Sequence, residues 1–168
     1  MKLLVFSDIH GSPEAAGEMK RVIEETKPDR IVLLGDILHG AFEGGSEVPS
    51  LLRKYSNIIT AVRGNGDRDG DSELLLFALP LYAGLVYEGH ACHLSHYPQN
   101  AISFPPGDIV MNGHTHVKKL ESVGGVVYLN PGSCAFPRDE CASYALLQGG
   151  TASLFRLRDM AKLSSLEF

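Results

Sequence analysis

The stretch Leu3-Leu4-Val5-Phe6-Ser7-Asp8-Ile9-His10-Gly11-Ser12-Pro13 decides how the chain is read. Four uninterrupted apolar residues suit a short strand buried on both faces, and the run stops abruptly at Ser7-Asp8. Ser12 then offers an N-cap and Pro13 the first helical position. Ala15, Met19, Val22, Ile23 and Thr26 share one helical face before Pro28 stops the helix.

The same order recurs downstream. Ile31 to Leu34 ends in Gly35-Asp36, Leu51, Leu52 and Tyr55 mark a shorter helix, and Ile58 to Val62 ends in Arg63-Gly64-Asn65. Strands alternating with helices predict βαβ units and a parallel sheet, whose ligands bind beyond the carboxyl ends of the strands. From about Leu79 the pattern changes to short strands punctuated by Gly and Pro: Leu85 to Glu88, Ala91 to Ser95, Ile109 to Met111, Val117 to Ser122, Val126 to Leu129, Tyr144 to Leu147 and Ala152 to Leu157. Gly124-Gly125 and Gly149-Gly150 stand where hairpin turns fall, so this half is expected to be largely antiparallel. The expectation is one α/β domain over residues 1–168, with two facing sheets flanked by helices. Its long irregular segments, His39 to Glu47, Gly66 to Ser72 and Pro98 to Gly107, border strand ends and are expected to shape a substrate site.

Composition narrows the classes of function. Fifteen Lys and Arg against 20 Asp and Glu give a net charge of −5, and no basic block occurs, which argues against an extended nucleic-acid surface or an anionic-membrane patch. The most apolar stretch, Leu74 to Tyr87, is broken by Pro80 and Gly84 and falls short of the ~18 to 20 residues of a membrane span. Lys2 precedes too short an apolar run for a signal peptide. With three cysteines and no C-x-x-C pair, the protein is expected in the cytoplasm with isolated packing thiols. A chain of this size buries roughly two thirds of its unfolded surface, so a metal would be present for chemistry and not as a staple.

The polar residues are informative by position. Asp8 and His10 follow the first strand, Asp36 the second, Asn65 the third, His96 the Ala91 to Ser95 strand, and His114 and His116 the Ile109 to Met111 strand. Singly, each is an ordinary turn or capping residue. Seven of them at successive strand ends, in a chain with seven His in all, are poorly explained by unrelated turns. They divide into two ligand shells: Asp8, His10 and His116 for one cation, Asn65, His96 and His114 for a second, with the two oxygens of Asp36 bridging. Bridged ions about 3.5 to 4 Å apart are the arrangement that clamps an in-line displacement at phosphorus. Imidazole and carboxylate without thiolate suit Mn, Fe, Zn or Ni better than Mg.

Asp8-Ile9-His10-Gly11, Gly35-Asp36, Gly64-Asn65-Gly66-Asp67, His96 and Gly113-His114-Thr115-His116 resemble, in order and spacing, the signature of the calcineurin-like metallophosphoesterases. Asn130-Pro131-Gly132-Ser133, followed by Pro137-Arg138, resembles the further signature of the small bacterial YfcE-like phosphodiesterases. The resemblance covers nearly the whole chain. It implies a four-layer αββα sandwich of two facing mixed sheets, a dinuclear site normally supplied with manganese, and hydrolysis of small phosphodiesters by a metal-bridging hydroxide. Asp36, Asn65 and His114 would then act catalytically through that hydroxide, and Asn130 to Ser133 would be a supporting turn.

Two positions depart from the pattern. Gly66 stands where many members carry a His thought to assist the leaving oxygen, and Tyr97 follows His96 where Gly is usual. Protonation of the leaving group then falls to water, His39 or the substrate, with Arg68 and Arg138 as further candidates for substrate contact. Alternative readings are a phosphomonoesterase, a non-catalytic metal-binding scaffold of the same fold, a protein phosphatase and a nuclease. A homo-oligomer is left open.

Overall fold

A computed structural model describes residues 1–39 and 47–168. Strand β1 (Leu3–Phe6) is buried throughout, as its unbroken apolar run requires. Helix α1 (Pro13–Thr26) starts as expected: Ser12 Oγ accepts the Ala15 N–H at 3.2 Å, and Pro13 occupies the first turn. It ends at Lys27, whose left-handed backbone returns its N–H to the Ile23 carbonyl. There follow β2 (Arg30–Leu33), α2 (Glu47–Arg53), a 3₁₀ turn (Ser56–Ile58), β3 (Ile59–Ala61) and α3 (Asp71–Leu75). The second half adds β4 (Tyr82–Tyr87), β5 (His90–Ser95), β6 (Ile109–Asn112), β7 (Lys119–Val123), β8 (Val126–Asn130), β9 (Ser143–Gln148), β10 (Thr151–Arg156) and β11 (Lys162–Glu167).

The strands form two mixed sheets, ordered β11-β10-β9-β1-β2-β3 and β4-β5-β6-β8-β7. β1, β2 and β3 run parallel, as the βαβ reading predicts. The second half is largely antiparallel, as expected, in the pairs β4–β5, β7–β8, β9–β10 and β10–β11, and β6 is the exception, pairing in parallel with both β5 and β8. Hairpin glycines fix only the pairs they join; β6 lies between two partners reached by longer connections, and it is fully buried, as central parallel strands are.

Two apolar layers hold the molecule together. Ala16, Met19, Ile23, Val48, Leu52 and Leu75 of the three helices pack on Leu4, Phe6, Ile31 and Leu33 of the first sheet. The opposite residues of that sheet, Leu3, Val5, Val32, Ala145 and Leu147, meet Cys92, Leu94, Ile109, Met111 and Leu129 of the second. Among the described residues no helix covers the second sheet's outer face. The irregular segment 97–108 lies there, with the Phe104 ring 4.6 Å from that of His93 and Asp108 bonded to His93 at 2.7 Å. The fourth layer of the sandwich is therefore irregular chain. No helix of the described residues is long and apolar enough to cross a membrane.

Sequence reading missed two elements, α3 and β11. The first is a single turn at the end of the segment expected to be irregular, and the second mixes exposed and half-buried residues without a clear alternation. Of the expected His39 to Glu47 loop, residues 40–46 lie outside the described residues.

Candidate metal centre

All seven ligand-type residues follow strands, and five of them, Asp8, His10, Asp36, His114 and His116, have positive φ between 51° and 66°. Left-handed backbone at a non-glycine residue costs on the order of 1–3 kcal/mol and concentrates where structure is held for function. The turns are locked across the sheet edge: the N–H of Asp8 donates to the Gly35 carbonyl, and those of Ile9 and His10 to that of Asp36. The Asn130 to Ser133 turn joins the other side. Asn130 Nδ2 donates to the Gly113 carbonyl at 2.8 Å and Ser133 Oγ to that of Asp8 at 2.9 Å.

These turns gather acceptors. His10, His96 and His116 each give Nδ1–H to a carbonyl, of His39 at 2.9 Å, Leu34 at 2.7 Å and Phe136 at 2.6 Å. Each Nε2 is left with a bare lone pair, the tautomer that ligates metals. Those lone pairs face one another and further acceptors. His10 Nε2 is 3.4 Å from His116 Nε2, and Asn65 Oδ1 is 3.2 Å from His96 Nε2 and 3.1 Å from His114 Nδ1. Asp8 Oδ1 lies 3.1 Å from His116 Nε2, yet it is fully buried and makes no well-directed hydrogen bond. Acceptors packed against acceptors repel unless a cation sits among them, so this donor set fits a metal.

Within the cradle, ligand atoms of Asp8, His10 and His116 lie within 4.8 Å of one another, as do those of Asp8, Asp36 and His96. Asp36 differs from expectation in one respect. Only Oδ2 faces both imidazoles, 3.8 Å from His10 and 3.5 Å from His96, whereas Oδ1 accepts the Gly66 N–H at 2.7 Å. Burial works to raise the Asp8 carboxyl, but the adjacent His116 imidazole and the Ser7 hydroxyl outweigh it and hold it below its ordinary value. The neighbouring Asp8 carboxylate raises His116, while burial and the neighbouring His96 lower His114.

Asp67 is a residue whose role the sequence did not reveal. Its buried carboxylate accepts the N–H groups of Asp36 at 2.9 Å, Ile37 at 2.7 Å and Gly64 at 2.8 Å, which ties the turn after β2 to the turn after β3. Burial pushes its pKa up against those bonds. In Asp67→Asn an amide NH₂ would face a backbone N–H, so we expect a loss of about 1–3 kcal/mol in urea unfolding of the metal-free protein. A midpoint within error of wild type would exclude this role.

Around the cradle, a shallow depression of about 480 Å³ is lined by His10, Asp36, His39, Asn65, Gly66 and Arg68. His39 Nε2 bonds Asp71 Oδ1 at 2.9 Å, and Asp71 Oδ2 accepts the Arg68 N–H at 2.8 Å, so α3 positions both residues. Arg138 is exposed, and its N–H donates to the His116 carbonyl at 3.0 Å. The Tyr97 ring lies 4.4 Å from that of His114 and 5.2 Å from that of His96, walling the cradle on the second-sheet side.

The model of the calcineurin-like phosphoesterase superfamily domain matches residues 1–151. The chain belongs to that superfamily. Its last strand, β11, lies beyond the matched region and extends the first sheet. This calcineurin-like phosphoesterase is 32% identical to phosphodiesterase YfcE of Escherichia coli, over 96% of this chain and 95% of the relative. The solved structure of YfcE, described as a phosphoesterase, superposes with a TM-score of 0.91 at 30% identity and covers 99% of each chain. Vps29 of Entamoeba histolytica, solved in complex with zinc, shares the fold with a TM-score of 0.71 at 20% identity, over 99% of each chain.

Proposed function

We propose that this chain is a phosphodiesterase that holds two divalent cations and hydrolyses small phosphodiesters. Asp8, His10 and His116 would hold one cation, and Asn65, His96 and His114 the other, with Asp36 Oδ2 shared. Nitrogen and oxygen donors without thiolate suit Mn, Fe, Zn or Ni, and manganese is the ion we propose. The observation that carries the reading is the set of imidazole nitrogens and carboxylate and amide oxygens turned toward one another at 3.1–3.9 Å. When bound, such a pair of cations supplies Lewis acidity toward water and phosphoryl oxygens and offsets charge that grows in the transition state.

The chain's own residues prepare the site. Carbonyls hold the three Nδ1–H groups, so His10, His96 and His116 need no reorientation to ligate. Ser7 Oγ at 2.6 Å and the His114 N–H at 3.1 Å fix Asp8 Oδ2 and leave Oδ1 directed into the cradle. Arg68 at the rim of the depression and Arg138 beside His116 are the proposed phosphate contacts. The three cysteines are free, in keeping with a proposed cytoplasmic setting.

Gly66 brings no side chain to the leaving oxygen, so protonation falls to water, the substrate or His39. Absence of a general acid costs about 10² to 10⁴ in rate, and good leaving groups suffer least. A diester also carries one negative charge where a monoester carries about two. Manganese-loaded enzyme should therefore cleave bis(p-nitrophenyl) phosphate faster than p-nitrophenyl phosphate. Chelator should abolish turnover, and single-metal readdition should restore it. Faster monoester cleavage would overturn the diester assignment, and tight metal binding without turnover of either ester would favour a scaffold.

A further inference from the structure

Among the described residues the two sheets have four edges, formed by β3, β11, β4 and β7. An open edge presents unpaired N–H and C=O groups to other chains, and proteins blunt it with brevity or charge. β3 has three residues, β7 carries Lys119 and Glu121, and β11 carries Lys162 and Glu167. β4, Tyr82-Ala83-Gly84-Leu85-Val86-Tyr87, has six residues and neither charge nor proline. Its outward side chains are apolar and uncovered: Tyr82 is 64% and Val86 68% exposed, with Leu81 at 65% just before them. Among the described residues β4 pairs with β5 alone.

The register makes this edge complementary to itself. A two-residue turn, Glu88-Gly89, with φ of 48° and 95°, closes β4 on β5 between Tyr87 and His90. Residues flanking such a turn exchange both ladder bonds, and the alternation then directs the N–H and C=O of Val86, Gly84 and Tyr82 away from β5. Those three residues also share the outer face. An antiparallel copy centred on Gly84 sets Tyr82 opposite Val86 of the partner subunit, and Val86 opposite the partner's Tyr82. The result is about six backbone hydrogen bonds and two aromatic to β-branched cross-strand pairs.

We propose that β4 is a homodimer interface, in which a second copy of this chain pairs antiparallel about Gly84 and joins two five-stranded sheets into one. The occupant is a second copy because the outward donors and acceptors of Tyr82, Gly84 and Val86 are symmetric about Gly84, and the same pairing sets each exposed Tyr82 ring against an exposed Val86 of the other copy. Tyr82 pairs with Ser95, the residue before His96, so the interface begins next to the ligand-bearing edge.

Sedimentation of the intact purified protein over a dilution series, with matched amide hydrogen exchange, tests this. Wild type should reach twice the 18.2 kDa chain mass, and the amides of Tyr82, Gly84 and Val86 should exchange more slowly in concentrated than in dilute samples. Val86→Lys and Tyr82→Lys place charge on this edge alone, and each should weaken association roughly tenfold or more. Val123→Lys on the β7 edge, at a residue 56% exposed, should leave the mass unchanged. All three sites are exposed, so melting temperatures should stay close to wild type and separate association from folding. A larger assembly that falls apart at β4 on these substitutions would support the pairing. A wild-type monomer at every concentration, or an oligomer that both β4 substitutions leave intact, would overturn it.

Discussion

Asp36→Asn should abolish phosphodiester hydrolysis, by roughly 10³-fold or more, while the protein stays folded. Asp36 Oδ1 accepts the Gly66 N–H at 2.7 Å, so the substituted amide keeps its carbonyl oxygen there and turns its NH₂ toward His96 and His10. That NH₂ is a donor among bare lone pairs, which relieves the metal-free cradle. It cannot ligate a cation, and it removes one of the two carboxylate charges that hold the pair. A 10³-fold loss corresponds to about 4 kcal/mol of transition-state stabilisation, a reasonable value for the atom shared by both proposed cations. The measurements are turnover of bis(p-nitrophenyl) phosphate at saturating manganese, bound metal per chain, and thermal unfolding without metal. Activity within tenfold of wild type, with both cations still bound, would remove Asp36 from the site.

Gly64→Ala should be among the more damaging small substitutions at the described residues. A Cβ at this position would stand 2.2 Å from Asp36 Oδ1 and 2.3 Å from the Asp36 backbone nitrogen. Neither can yield cheaply: the nitrogen belongs to the turn after β2, and its N–H is held by Asp67. The turns after β2 and β3 must separate, which strains the Asp67 bonds and displaces Asp36 together. We expect a stability loss of about 2–4 kcal/mol and weakened metal binding. Gly17→Ala is the contrasting case. Its Cβ meets nothing within 4 Å in the middle of α1, so it should gain about 0.5–1 kcal/mol. Equal midpoints for the two variants in urea would refute the close-approach explanation.

Much of the candidate site was legible because each ligand-type residue ends an apolar run. Leu3 to Phe6, Ile31 to Leu34 and Ile109 to Met111 announce buried strands, and their abrupt polar ends announce an edge where charges meet water or metal. Side-chain direction was not legible. Extended-chain alternation would place His114 and His116 on opposite sides, yet both adopt left-handed backbone, and one presents Nδ1 and the other Nε2 to the cradle. Nor did sequence show that Asp67 serves three backbone donors, since a lone Asp near glycines reads equally well as a turn former.

Local sequence by itself determined the parallel βαβ half, the Ser12 and Pro13 start of α1, and which residues of ligand type stand just past strand ends. Short-range patterns of burial, capping and turn chemistry are enough for these. Only the tertiary structure decided that β6 lies parallel between β5 and β8, that irregular chain and not a helix lies on the outer face of the second sheet beside β5, and that a single Asp36 oxygen faces both His10 and His96. Those outcomes depend on contacts between residues far apart in the chain, where packing and the need to satisfy buried backbone groups choose among arrangements that local propensity leaves equivalent.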